Sequence, residues 1–205
     1  MPPPLSGQQI RKDGGPVNSF VRAYFYKAPS EEYEKHAAFE RRNEGMIWSK
    51  LKKLSEELLA TSLQGRVRYH LARYGPGVSH HMARGWIAFD GREILTCSTI
   101  KQVQEGYRLT GAWYSDDDVT REELHRQGVF TRDEYVEALE ECIRAPIEDL
   151  LQSASPLTRA IALLDRRVGK RRLQRIILDQ NELQVVKDFY QIRCETEGIG
   201  IGEKG

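Results

Sequence analysis

The sequence has few cysteines, and they are not arranged for cross-linking. Cys97, Cys142 and Cys194 are far apart and form no Cys-x-x-Cys pair. This spacing argues against a disulfide framework and against a zinc finger. It predicts three buried free thiols in a protein from a reducing compartment.

Long apolar runs and a net charge are also lacking. No apolar run approaches the roughly 20 residues that a membrane-spanning helix needs, and the N-terminus has no apolar core of a signal peptide. We therefore expect a cytoplasmic protein with no membrane partner. Thirty-one Lys and Arg residues against 30 Asp and Glu leave a formal net charge of +1, so binding to nucleic acid would have to depend on a local basic patch.

Composition changes along the chain predict its organisation. Residues 1–45 differ in charge and composition from the rest of the chain, and we expect a mobile N-terminal extension there. A second hypothesis is that translation naturally starts at Met46, and the sequence leaves both open. Residues 46–198 are expected to form a single α+β domain, and the glycine-rich residues 199–205 a flexible tail.

The first part of the expected domain is an amphipathic helix. Ile47, Leu51, Leu54 and Leu58 recur at helical spacing, which predicts a narrow apolar stripe facing a core.

A sheet is predicted next. Apolar and polar residues alternate over residues 66–74, as in a half-buried strand. Two further β-rich runs, residues 85–89 and 92–99, flank the pair Asp90-Gly91. Asp-Gly between two such runs predicts a hairpin with a two-residue turn of positive φ.

That turn would also set the pairing of the two strands. A regular ladder from Asp90-Gly91 pairs Ile87 with Ile94 and Trp86 with Leu95, on opposite faces of the hairpin. Both faces would then carry apolar side chains, so we expect helices to cover one face and the other to be partly covered.

The remainder of the chain is expected to be helical. Thr120 with Glu123, and Thr131 with Glu134, have the spacing of capping boxes and predict two helix starts. Ser155-Pro156 predicts a third start. The apolar stripe of that third helix is Leu157, Ile161, Leu164 and Val168. The predicted fold class is therefore α+β: an N-terminal helix, a three-stranded antiparallel sheet with an Asp-Gly hairpin, and a C-terminal helical layer.

One dense charge cluster stands out between residues 159 and 176. It contains seven cations and a single acid, Asp165. On a continuous helix Arg159, Arg166 and Lys170 would lie opposite the apolar stripe and form a basic ridge, which suits phosphate groups. The alternative is a solvated helix face whose cations pair with acids elsewhere. The candidate anion or nucleic-acid contacts are Arg159, Arg166, Arg167, Lys170, Arg171 and Arg172.

No catalytic, cofactor-binding or metal-binding residue is assigned. Gly169-Lys170 lacks the preceding glycine and the following Ser or Thr of a phosphate-binding loop. The adjacent pair His80-His81 has no carboxylate positioned to complete a metal shell. His70, Glu93 and Cys97 could share one surface of the sheet, and a small hydrolase or nuclease site near His70 is one hypothesis.

Four blocks of sequence together resemble a known family. They are MIWSKLKKL, GRVRYHLARY, GWIAFDGREIL and LLDRRVGKRRL, in this order. The chain resembles a small bacterial family of uncharacterised proteins over about residues 46–198. This resemblance implies a bacterial, cytoplasmic protein and carries no activity, cofactor or site residue with it.

Three functional hypotheses follow from the sequence. The first is a non-enzymatic binding module that uses the basic ridge to hold nucleic acid or an acidic protein partner. The second is the hydrolase or nuclease near His70. The third is a protein-interaction or antitoxin-like role.

Overall fold

The computed structural model describes residues 46–72, 83–111 and 118–200. Residues 1–45, for which a mobile extension was expected, lie outside this range, as do residues 201–205 of the expected tail. The described elements are α1 (Trp48–Leu58), a 3-10 turn (Thr61–Leu63), β1 (Val67–Ala72), β2 (Arg84–Phe89), β3 (Arg92–Ser98), α2 (Thr99–Thr110), α3 (Asp118–Arg126), α4 (Arg132–Arg144), α5 (Ile147–Leu151), α6 (Pro156–Leu163), α7 (Lys170–Leu173) and α8 (Gln184–Glu197).

These elements confirm the predicted α+β class. An N-terminal helix precedes a three-stranded antiparallel sheet of order β1-β2-β3, and the remaining helices follow it. No helix among the described residues is both long enough and apolar enough to cross a membrane.

The register of the β2–β3 hairpin differs from the expected one. Asp90 and Gly91 connect the strands, with φ angles of 48° and 79°. Next to this turn the ladder is regular, but a bulge follows between Ile87 and Ala88, and Ile87 pairs with Leu95 instead of Ile94. The predicted pairs Ile87–Ile94 and Trp86–Leu95 are therefore wrong.

The burial of β3 explains the bulge. A shift of one residue moves every later side chain to the opposite face of a strand. In the observed register Leu95 and Cys97 lie on the core side, with 8% and 0% of their surface exposed. A regular ladder would have turned both side chains to the outer face.

Two helices cover the inner face of the sheet. Helix α1 packs against β1, and α4 packs against β2 and β3. The apolar stripe predicted for α1 is only partly right, because Ile47 precedes the helix and is 76% exposed. The buried residues of α1 are Leu51 and Ser55.

A second helical layer lies behind α4. Helix α6 packs against α4, α5 and α8, and its predicted stripe residues Leu157, Ile161 and Leu164 are all buried. These side chains form one buried cluster with Tyr69 and Ile87 of the sheet, and burial of each contributes roughly 1.5–3 kcal/mol. Ile199, the first residue of the expected tail, packs against this core.

The predicted helix starts have different outcomes. Thr131 and Glu134 form a reciprocal capping box at the start of α4, and the Ser155 side chain caps α6 with Pro156 in its first turn. Both predictions are confirmed. The prediction for Thr120 is wrong, because Thr120 lies inside α3 and does not precede it.

All three cysteines are free and buried, as predicted. Cys97 and Cys194 have no exposed surface, and Cys142 has 5%. Burial raises the pKa of the Cys142 thiol to about 12, so the thiol is neutral at physiological pH.

Candidate functional site

The predicted basic ridge is divided by the end of a helix. Helix α6 stops at Leu163, and the next residues leave it to hydrogen-bond with the end of α1. Ala60 N donates to Leu164 O at 2.9 Å, and Arg166 N donates to Leu58 O at 2.7 Å. These bonds use backbone groups that a longer helix would need, so the expected continuous helix from Arg159 to Lys170 does not form.

Arg159 is engaged at the start of α6. Its guanidinium donates to Glu182 Oε1 at 2.7 Å and to the carbonyl oxygen of Ser153 at 2.5 Å. Only 21% of the side chain is exposed. Arg159 therefore links α6 to the segment before α8, and most of its donors are already used.

Arg167 is engaged in the same way between α4 and α6. It donates to Asp165 Oδ2 from Nε at 3.0 Å and from Nη2 at 2.7 Å. It also donates to the carbonyl oxygens of Ala145 at 2.9 Å and Cys142 at 2.6 Å. This side chain satisfies the buried Asp165 and the C-terminal end of α4, so its role in the structure is to support the fold.

Lys170 and Arg172 form surface ion pairs. Lys170 Nζ lies 3.1 Å from Glu197 Oε2, and Arg172 Nη2 lies 2.6 Å from Glu148 Oε1. The two cationic side chains are 62% and 42% exposed. The Arg172–Glu148 pair is exposed on both sides and is worth about 0–1 kcal/mol, so Arg172 can exchange its carboxylate for a phosphate at little cost. The Glu197 partner of Lys170 is only 10% exposed and also accepts hydrogen bonds from Arg193 and Ser62.

Arg166, Arg171 and Arg175 differ from the other four cations. All three are exposed, and their side chains form no ion pair with any residue that the structure describes. Arg175 was counted in the charge cluster but was not among the predicted contacts. The signal for it was the spacing, because a cation four residues after Arg171 lies on the same side of a helical turn.

The backbone that carries these arginines is held firmly. We refer to residues 166–175 as the basic segment. Val168 and Leu173 have no exposed surface, and Arg193 donates to the Val168 carbonyl at 3.0 Å. Hydrogen bonds from Leu173 N and Gln174 N to Gly169 O and Lys170 O continue the turn of α7. The exposed arginines therefore project from a fixed backbone.

The outer face of the sheet is a second candidate site. His70 and Trp86 are paired across β1 and β2, and their rings stack with centroids 4.8 Å apart and an angle of 7° between planes. The Arg84 guanidinium lies 4.9 Å from the centroid of the Trp86 ring. Glu93 accepts hydrogen bonds from Arg84 and from Thr96. We refer to His70, Arg84, Trp86, Glu93 and Thr96 as the sheet platform.

The protonation states of the platform follow from its surroundings. Partial burial and the nearby Lys52 charge lower the pKa of His70, so the imidazole is neutral at physiological pH. Burial alone would raise the pKa of Glu93, but the hydrogen bonds from Thr96 and Arg84 outweigh it and the pKa is lowered. The platform therefore combines a neutral aromatic pair with a salt-bridged carboxylate.

Cys97 does not join His70 and Glu93. Its side chain is on the inner face of β3, opposite Gly85, and has no exposed surface. Burial also raises the pKa of this thiol well above its usual range. The prediction that Cys97 shares one surface of the sheet with His70 and Glu93 is therefore wrong.

The described residues form no cluster of metal ligands, and a small cavity lies among the helices and the sheet. Within residues 46–72, 83–111 and 118–200, no group of three His, Cys, Asp or Glu side chains could hold a metal ion. His80 and His81 lie outside the described residues. An internal cavity of about 10 Å³ lies between α1, β1 and α6, with Ser55, Tyr69 and Asp165 in its wall. Its size suits one water molecule rather than a substrate.

The chain belongs to the SF0329 protein family, which matches residues 47–194. Neither the curated proteins nor the solved structures include one that matches the chain. The family range begins beside Met46 and includes both the sheet platform and the basic segment. Membership in this family assigns no activity to either site.

Proposed function

We propose that this chain is a non-enzymatic nucleic-acid-binding module that contacts phosphate groups through the basic segment. One observation carries the proposal: Arg166, Arg171 and Arg175 are exposed and have no ion-pair partner among the described residues. Other exposed arginines of the chain have an acid close by, as Arg66 has Asp90 and Arg126 has Glu123.

The composition of the segment supports phosphate as the ligand. Residues 166–175 contain six cations and no acid. Arg presents a planar fork of donors that fits phosphate oxygens in pairs. Contacts of this type supply affinity without reading sequence, so the basic segment is proposed to bind the backbone of the nucleic acid and not its bases.

The fixed backbone supports binding further. Val168 and Leu173 anchor the segment in the core, so little backbone freedom is lost when a ligand binds. Association costs less free energy when the binding groups are already positioned. Arg172 can join the contact by exchanging its surface ion pair with Glu148.

The experiment compares two triple variants with the same change in net charge. In the first, Arg166, Arg171 and Arg175 are all replaced by Glu. In the control, the exposed residues Lys50, Arg92 and Lys101, which lie elsewhere on the surface, are replaced by Glu. Binding to a fluorescently labelled strand of about 20 nucleotides is measured by anisotropy between about 50 and 200 mM salt.

The three proteins should differ in their affinity for the strand and in its dependence on salt. Wild type and control should bind at low salt and weaken steeply as salt rises. The basic-segment variant should lose most of its affinity, and the slope of log K against log salt should fall by about 2–3, since each lost phosphate contact contributes about 0.7–0.9. Absence of wild-type binding at the lowest salt concentration, or equal losses in both variants, would contradict the proposal.

An acidic protein partner would use the same arginines and is distinguished by the probe. The partner is an acidic protein if the wild type binds poly-glutamate and does not bind nucleic acid. In that case the basic-segment variant should lose binding to poly-glutamate, and the control variant should keep it. The hydrolase hypothesis has less support, because Cys97, the nucleophile grouped with His70 and Glu93 in that hypothesis, faces the core. It predicts an activity that a His70→Ala variant lacks.

The cellular setting is part of the proposal. A reducing cytoplasm would keep three buried thiols free, and the family resemblance implies a bacterial protein. Fractionation of cells that express the full chain, followed by thiol labelling under denaturing conditions, tests both the location and the reduced state.

A further inference from the structure

Trp86 is a large aromatic side chain that the core does not use. It is on the outer face of β2, is only partly buried, and does not belong to the core or to the apolar residues packed against it. Trp48, by comparison, packs against that core. Burial in the core therefore does not account for a tryptophan at position 86.

The side chains of His70, Trp86 and Arg84 form a row on the outer face of the sheet. His70 stacks on the indole from the adjacent edge strand. Arg84, two residues earlier on the same strand, also lies over the ring. Alternate residues of a strand share one face, so the row is fixed by the sheet itself and not by a loop.

The charges around the row are nearly balanced. Arg84 pairs with Glu93, and Arg68 lies 3.5 Å from Glu56 in α1. A balanced surface adds little salt-dependent attraction for a phosphate backbone. Partly exposed aromatic and guanidinium planes are, however, the groups on which unpaired bases stack, with contributions that do not depend on base identity.

We propose that the sheet platform stacks an unpaired base, so that the ligand of this module is single-stranded nucleic acid. This inference rests on the proposed function, because it names the kind of nucleic acid that the module binds. Bases in a duplex stack on one another and cannot offer their faces to a protein, whereas single strands can. Thr96 and Glu93 stand beside the row and can hydrogen-bond to base edges.

The test separates stacking from charge. Trp86→Leu removes the aromatic face and keeps an apolar side chain, and Tyr107→Leu removes a 41% exposed aromatic residue from α2 as the control. Each variant is titrated with single-stranded DNA, single-stranded RNA and duplex DNA of one sequence at one salt concentration. His70→Ala is a second platform variant should Trp86→Leu fold poorly, as monitored by circular dichroism.

The wild type should bind one or both single strands more tightly than the duplex. Trp86→Leu should weaken single-strand binding about 5- to 100-fold without changing the salt slope, while Tyr107→Leu should leave it unchanged. A preference for RNA over DNA would indicate that the 2′-hydroxyl is also contacted. Either result supports the platform, because both strands present unpaired bases.

Other results overturn the inference and leave the two proposals distinguishable. If Trp86→Leu and His70→Ala bind every probe as tightly as wild type, the platform does not stack bases, although the basic-segment variant can still lose affinity. If the platform variants lose single-strand affinity and the basic-segment variant does not, the phosphate contact proposed for residues 166–175 is wrong. If wild type binds the duplex more tightly than either strand, single-strand selectivity is excluded.

Discussion

Arg167 and Asp165 form a salt bridge in which two nitrogen atoms of the guanidinium donate to one carboxylate oxygen, at 3.0 and 2.7 Å. Asp165 is 4% exposed, and the Arg167 side chain is 32% exposed. Arg167→Ala would leave the buried carboxylate without its charge partner. We expect it to lower the free energy of unfolding by about 2–3 kcal/mol, below the roughly 3–5 kcal/mol of a fully buried pair because the guanidinium is partly solvated. Urea denaturation measures this loss.

Arg166 is the natural control for that experiment. It is exposed and has no ion pair among the described residues, so Arg166→Ala should change the free energy of unfolding by less than about 0.5 kcal/mol. The same substitution should weaken binding to a labelled single strand. Equal destabilisation by the two substitutions would contradict the different roles that the structure gives these neighbouring arginines.

Gly85 lies against the ring of Tyr135, and this contact predicts the effect of adding a methyl group. A Cβ atom at position 85 would lie 2.6 Å from Tyr135 Cε1 and 3.0 Å from Cγ. Tyr135 is fully buried and donates a 3.2 Å hydrogen bond to the Trp86 carbonyl, so its ring cannot move aside freely. Gly85→Ala should therefore lower the free energy of unfolding by about 3 kcal/mol, at the upper end of overpacking effects.

Gly106 provides the matched substitution. It lies within α2, and a Cβ atom there meets no atom within 4 Å. Gly106→Ala should raise the free energy of unfolding by about 0.5–1 kcal/mol, because alanine loses less backbone entropy than glycine in a helix. Thermal denaturation of both variants checks the pair. A tolerated Gly85→Ala would show that Tyr135 does not pack on β2 as described.

The sequence predicted the elements of the sheet but not its full register. Alternation of apolar and polar residues locates each strand, and Asp90-Gly91 has the composition of a two-residue turn. The bulge beside Ile87 depends instead on which of Ile94 and Leu95 packs better beneath α4. That choice is made by tertiary contacts, which a local pattern of apolar residues does not contain.

The basic cluster shows a similar limit at the candidate site. Its seven cations look alike in the sequence, yet Arg159 and Arg167 hold carbonyl and carboxylate groups within the fold while Arg166 and Arg171 face solvent. The division arises because α6 ends at Leu163, where backbone bonds to α1 replace the next helical turn. Glu182, the partner of Arg159, is 23 positions away along the chain, and Ala145, a partner of Arg167, is 22 positions away. Sequence spacing could not identify partners at such distances.

Glu134 links α3 to α4 and should contribute to the acid sensitivity of the protein. Its carboxylate lies 2.7 Å from His125 Nε2 and accepts a 2.7 Å hydrogen bond from Thr131 N. Burial alone would raise the pKa of Glu134, but the bonds from His125 and Thr131 outweigh it, and the pKa lies below its ordinary value of 4.5. A carboxyl group with a lowered native pKa stabilises the fold fully above its ordinary value and loses that contribution as the pH falls through the native value.

Replacement of Glu134 by Gln should therefore flatten the acid side of the stability profile. At neutral pH we expect Glu134→Gln to cost about 1 kcal/mol, because neutral hydrogen bonds replace charged ones. As the pH falls below about 5, its free energy of unfolding should fall less than that of wild type, as measured by urea denaturation at each pH. Glu137, one turn along in α4, is the control. Its pKa is raised by burial and by the neighbouring acids Asp133 and Glu134, so its charged form opposes folding, and Glu137→Gln should not destabilise the protein at neutral pH. An acid profile identical in wild type and Glu134→Gln would show that the bonds to His125 and Thr131 do not favour the charged carboxylate.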